Sequence, residues 1–94
     1  MTRAIWNDVI LAESDETVFL EGNHYFPAES VRREFLQPSE HQTWCGWKGQ
    51  ASYFDVIVDG QTNHGAAWYY PKPYAAASGI QNRVAFWRGV RVVD

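Results

Sequence analysis

Apolar and aromatic residues fall in short runs separated by polar or glycine-bearing turns. Ala4–Ala12 is one such run, closed by Glu13-Ser14-Asp15-Glu16. Its β-branched and aromatic content reads as a strand with a turn or bulge at Asn7-Asp8. Thr17–Leu20 reads as a second strand, Gly22-Asn23 as a turn, and His24–Phe26 as a short return strand. The first quarter is therefore expected to be a β-meander.

One stretch has helical spacing. In Ala28–Leu36, Val31 and Phe35 stand four apart with Leu36 beside them. Glu29 falls in the first turn, where the helix dipole favours an acid, and Pro27 is tolerated at the start. Pro38 cannot continue a helix. The spacing predicts a helix over about 28–36, lying on the sheet through Val31, Phe35 and Leu36 because two turns do not hold alone in water. Arg32 and Arg33 fall on its solvated face, and Ser39–Gln42 reads as a loop.

Thr43–Val58 organises the rest of the chain. Gln50–Val58 is the clearest strand, and Asp59-Gly60 signals a two-residue turn that needs positive φ at both positions. Gln61–Tyr70 returns antiparallel, until Pro71-Lys72-Pro73 removes the N–H groups a ladder needs. With Asp59-Gly60 as the turn, Val58 faces Gln61, Asp55 faces His64, Tyr53 faces Ala66 and Ala51 faces Trp68. Alternation puts Tyr53, Asp55, His64, Trp68 and Tyr70 on one mixed face and Phe54, Val56 and Val58 on an apolar one. Tyr74–Ser78 can form one helical turn. Arg83–Trp87 and Val90–Val93 read as final strands. The expected fold is a single domain, 1–94: mainly β, a small curved antiparallel sheet or barrel with one short helix.

Composition sharpens this picture in three ways. Five Trp, five Tyr and five Phe give a 94-residue chain the large side chains a small core needs. A net charge of −3 argues against a nucleic-acid partner, which a basic face would attract. The single cysteine, Cys45, cannot form an internal disulfide, no apolar run approaches the roughly 20 residues of a membrane span, and no leader pattern is present. A cytoplasmic location and no membrane partner are expected.

The candidate chemistry gathers on the central hairpin. Lys48 is one of only two lysines and stands between Trp47 and Gly49. A lysine at the rim of an aromatic surface can meet a phosphate or carboxylate. Trp47, Lys48, Tyr53, Trp68 and Tyr70 are the candidate ligand-binding residues, with Arg83 a further cation. Asp55 opposite His64 offers an oriented acid–base pair. Cys45, His24, His41 and His64 lack zinc-ligand spacing, so no metal is expected, and no cofactor motif is present.

Four blocks carry a resemblance: Trp47–Tyr53, Glu21–Pro27, Ala66–Pro73 and Val84–Trp87. Together they resemble the bacterial family called domain of unknown function 427, along nearly the whole chain. The resemblance implies a small β-rich domain. The family is sometimes labelled nucleotidyltransferase, yet the chain shows no paired carboxylates for two metals; Asp55 and Asp59 come nearest, and Asp59 belongs to a turn. Three readings remain: a domain binding a small anionic or aromatic ligand, an enzyme using His64, Asp55 and Lys48, or a homodimeric interaction module.

Overall fold

The computed structural model describes residues 1–94 and is built from short antiparallel strands. In chain order they are β1 (Thr2–Trp6), β2 (Val9–Ser14), β3 (Val18–Leu20), β4 (Asn23–Tyr25), β5 (Leu36–Cys45), β6 (Gly49–Val58), β7 (Gln61–Tyr69), β8 (Val84–Phe86) and β9 (Arg91–Val93). They form a four-stranded sheet ordered β5-β6-β7-β8, a three-stranded sheet ordered β2-β1-β9, and a β3-β4 hairpin. The sheets do not close into a barrel.

Alternation along β6 and β7 gives the large sheet two buried faces. One face carries Phe54, Val56, Val58 and Ala67, which pack with Ala4, Leu11 and Ala12 of the small sheet and with Phe26, Val84 and Phe86. The other carries Ala51, Tyr53 and Trp68, packed with Tyr70, with Tyr25 of the hairpin, and with Ala77 and Ile80 of a 3-10 segment at Ala75–Ile80. β4 and β8 alternate in the same way, so Phe26 and Tyr25 serve opposite cores.

The turns follow backbone chemistry. Asn7 and Asp8 (φ 52° and 63°) join β1 to β2, and Asp59 and Gly60 (φ 51° and 75°) join β6 to β7. Left-handed conformations at both central positions match the twist of the strands. The β3–β4 turn sits one residue earlier than the sequence indicates: Glu21 and Gly22 take positive φ, and Asn23 already begins β4.

The expected helix over 28–36 does not form. Ala28–Ser30 and Arg33–Phe35 are separate 3-10 turns, and Leu36 starts β5. Between the turns Val31 is extended and bridges Ala12, while the Arg32 N–H donates to the Leu11 carbonyl at 2.8 Å. Pairing with β2 buries Val31 and satisfies backbone groups, which a two-turn helix on the surface does less well. Residues 39–42, expected as a loop, lie within β5. That strand is at the sheet edge, where Pro38 is tolerated.

The central register also differs. Val58 faces Gln61, as expected, but Tyr53 faces Trp68 rather than Ala66. A bulge places His64, Gly65 and Ala66 of β7 opposite Asp55 alone. A second bulge places Ser39, Glu40 and His41 of β5 opposite Tyr53 alone.

Candidate functional site

A cavity of about 180 Å³ opens on the Tyr53–Trp68 face. Its lining is Asn23, Tyr25, Lys48, Tyr53, Trp68, Tyr70 and Trp87. Pairing across β6 and β7 sets Tyr53 beside Trp68. Tyr25 comes from the hairpin, meets Trp68 edge-on at 6.2 Å, and accepts a hydrogen bond from its indole N–H at 3.2 Å. Trp87, just after β8, meets the Trp68 ring at 5.5 Å. The Tyr53 hydroxyl is tied to Thr43 Oγ1 at 2.9 Å. Tyr25, Tyr53 and Trp68 stand on strands, and Trp87 directly follows one, so the cavity is preformed.

Lys48 enters from the tight turn between β5 and β6. The Tyr74 N–H donates to the Lys48 carbonyl at 3.0 Å, drawing the segment after Lys72 against that turn. Gly49 allows the approach: its φ is +109°, and a Cβ there would lie 3.4 Å from the Lys72 carbonyl oxygen. That backbone region belongs almost to glycine alone. Gly49→Ala is expected to cost about 1–3 kcal/mol in strain. A lowered urea midpoint with an unchanged slope would show it.

Lys48 is nearly buried, at 9% exposure for the residue. Its ammonium pairs with Glu21 at the tip of the hairpin and lies 5.7 Å over the Trp47 ring and 5.4 Å over the Tyr70 ring. The Trp47 indole N–H also donates to Glu21, at 3.3 Å. Burial works against the Lys48 charge, but the Glu21 hydrogen bond and the facing phenols outweigh it and hold the ammonium above the usual lysine value. Lys48 is thus a charged group at neutral pH, paired with Glu21. Burial pushes the Tyr25 and Tyr70 phenols up, so both remain neutral donors.

Glu21 is held below the usual glutamate range, chiefly by the hydrogen bond from Lys48. A lowered carboxyl pKa contributes stability above the ordinary value of about 4.3, lost as pH falls through the folded value. A raised lysine pKa contributes fully below about 10.4, and that contribution is lost as pH rises through the folded value. The pair is therefore closed across the neutral range. In Lys48→Met the Glu21 side-chain carboxyl carbon is expected to titrate in the ordinary glutamate range by ¹³C NMR. An unchanged midpoint would contradict the pairing.

A second, polar cleft of about 270 Å³ lies on the far side of Tyr53 and Trp87. Ser39, His41, Asp55, His64, Gly65 and Arg88 line it. Asp55 Oδ2 is 3.5 Å from His64 Nδ1, while Asp55 Oδ1 accepts the Gly65 N–H at 2.8 Å. The His64 side chain is 80% exposed.

The structure thus brings Lys48, Tyr53, Trp68 and Tyr70 together. Trp47 lies outside the cavity, against the Lys48 ammonium. Arg83 does not reach it and donates to the Glu16 carbonyl at 2.8 Å. Asp55 and His64 meet each other but not Lys48. Tyr25, Asn23, Trp87 and Glu21 are not among the candidate ligand-binding residues named from the sequence. Glu21 carries one signal, an acid directly before the hairpin glycine, at the tip of the turn.

No helix is long and apolar enough to cross a membrane. No group of three or more His, Cys, Asp and Glu side chains stands where it could hold a metal ion. No curated protein matches the chain. One family does, from the first residue to the last: with its match over residues 1–94, the chain belongs to the family described as Domain of unknown function (DUF427).

Proposed function

We propose that this domain binds a small planar molecule carrying an anionic group, with the ring in the Tyr25–Tyr53–Trp68–Tyr70 cavity and the anion at Lys48. The observation that carries this reading is a nearly buried lysine set in the wall of an aromatic cavity. An apolar concavity with a few converging polar groups is the usual form of a ligand site. The cavity is smaller than the roughly 300 Å³ at which typical ligand pockets begin, so it fits a single ring rather than a fused system. Glu21 is the resident counter-ion; its side chain is 48% exposed, so an incoming carboxylate can displace it into water.

A ligand that binds only the folded form raises the melting temperature. Monocyclic aromatic acids are expected to raise it in proportion to the logarithm of their concentration, and aliphatic acids of equal charge are not. Equal shifts from both classes would sink the aromatic part of the reading. The acid–base alternative has less support, because Asp55 and His64 open onto a different cleft from Lys48. A homodimer is the second reading. Trp44, on the edge strand β5, is 67% exposed and meets Tyr74 edge-on at 5.7 Å, and exposed aromatics of this kind anchor interfaces. Sedimentation equilibrium distinguishes a monomer from a dimer.

A further inference from the structure

The polar cleft has a construction of its own. Both neighbours of β6 bulge, two residues apart along it: Ser39–His41 opposite Tyr53 on one side, His64–Ala66 opposite Asp55 on the other. Bulges concentrate beside functional sites, where they re-aim side chains. Here they turn His41 and His64 into one concavity, with Arg88 closing it from the turn after β8.

The β7 bulge is fixed at four of its backbone groups by partners outside the ladder. The Gly65 N–H is taken by Asp55 Oδ1. The His64 carbonyl accepts from Arg88 Nη1 at 3.1 Å, the Gly65 carbonyl from the Trp87 indole at 2.6 Å, and the Ala66 carbonyl from the Trp87 backbone at 2.9 Å. Asn63 Nδ2 donates in return to the Arg88 carbonyl at 2.7 Å. Arg88 itself has φ +55° and lies 4.7 Å over the Trp87 ring. A bulge held in this way is a preorganised scaffold. With the β5 bulge and the turn after β8 it brings a guanidinium, two imidazoles and the Ser39 hydroxyl to one open space.

We propose that this cleft is a binding site for a tetrahedral oxyanion, of the phosphate or phosphomonoester class, held by Arg88, His41 and His64. The proposal does not depend on the aromatic cavity being occupied. Guanidinium and imidazolium donors make the short, charge-assisted bonds that such anions prefer. Asp55 is the one opposing charge. Its first oxygen is occupied by Gly65, and its second faces His64, so it is matched when that ring is protonated. Arg88 then remains as net positive charge.

The test uses the full chain and long-range ¹H–¹⁵N spectra of the three histidines. Titration with inorganic phosphate at constant ionic strength is expected to move His41 and His64 together and saturably. His24, whose Nδ1 is engaged by Thr17 Oγ1 at 2.8 Å in the β3–β4 hairpin, stays put. Arg88→Gln lowers affinity at least ten-fold. Because Arg88 also braces the bulge, His41→Asn serves as a second variant and lowers affinity without touching those bonds. Phenyl phosphate separates the sources of the anion. Movement of the Trp68 indole and both histidines along one binding curve, weakened together in His41→Asn, indicates one phosphomonoester reaching both clefts. Movement of the histidines alone indicates a free or separately carried phosphate. Histidine signals that ignore phosphate, or that respond equally to chloride, overturn the proposal. So does retained affinity in both variants.

Discussion

Phe26→Ala is expected to leave this domain without a stable fold at 37 °C. Phe26 has no exposed surface and meets Phe86 edge-on at 5.7 Å inside the core shared by the two larger sheets. Its N–H and carbonyl both pair with Val84, at 2.8 and 2.9 Å, and so join the end of the hairpin to the four-stranded sheet. Truncating a buried Phe costs about 3–5 kcal/mol through lost transfer energy and the cavity left behind. Natural domains hold only about 5–15 kcal/mol in total, and a chain this short stands toward the lower end. Tyr25, the preceding residue, lines the aromatic cavity on the opposite face, so loss of this joint also dismantles the candidate site. Circular dichroism during urea unfolding reads the effect. A midpoint within a few tenths molar of the parent would contradict the packing described.

Lys48→Met separates binding from folding. Methionine keeps an unbranched stem against Tyr70 and Trp47 and removes only the charge. Glu21, left alone, is exposed enough to be hydrated, so the urea midpoint should change little. A hydrogen bond to a charged group contributes about 1.5–3 kcal/mol, which is roughly a ten- to hundred-fold loss of affinity for a ring-bearing acid. Calorimetry on the two proteins gives the comparison. Unchanged affinity would remove Lys48 from the site, and a collapsed midpoint would make it a structural residue.

The two-sided hairpin was legible in the chain, for a specific reason. Period-two alternation assigned Tyr53 and Trp68 to one face and Phe54, Val56 and Val58 to the other, and the structure keeps both sets. The bulge changed the partner of Tyr53 by two residues, an even number, so side chains kept their faces while their neighbours changed. Ala66 did change sides, because it lies inside the bulge. No local pattern announces such a bulge; it is fixed by Trp87 and Arg88, more than twenty residues onward. The helix over 28–36 failed on similar grounds. Its spacing was sound, but the Val31–Ala12 bridge is a tertiary contact that local periodicity does not contain. Lys48 stood out by its place in a glycine turn. Its counter-ion did not, since Glu21 lies 27 residues away on another hairpin.

The central claim is that the cavity walled by Lys48, Tyr53, Trp68 and Tyr70 receives a planar anion. A ¹H–¹⁵N correlation spectrum tests it most directly, with benzoate and then cyclohexanecarboxylate titrated into the parent and Lys48→Met. The account predicts that benzoate moves the Trp68 indole and the Lys48, Tyr53 and Tyr70 amides along one saturating curve. It predicts weaker responses to the saturated acid and to the variant. A Trp68 indole that does not move, or shifts scattered over the surface with no common curve, would contradict it.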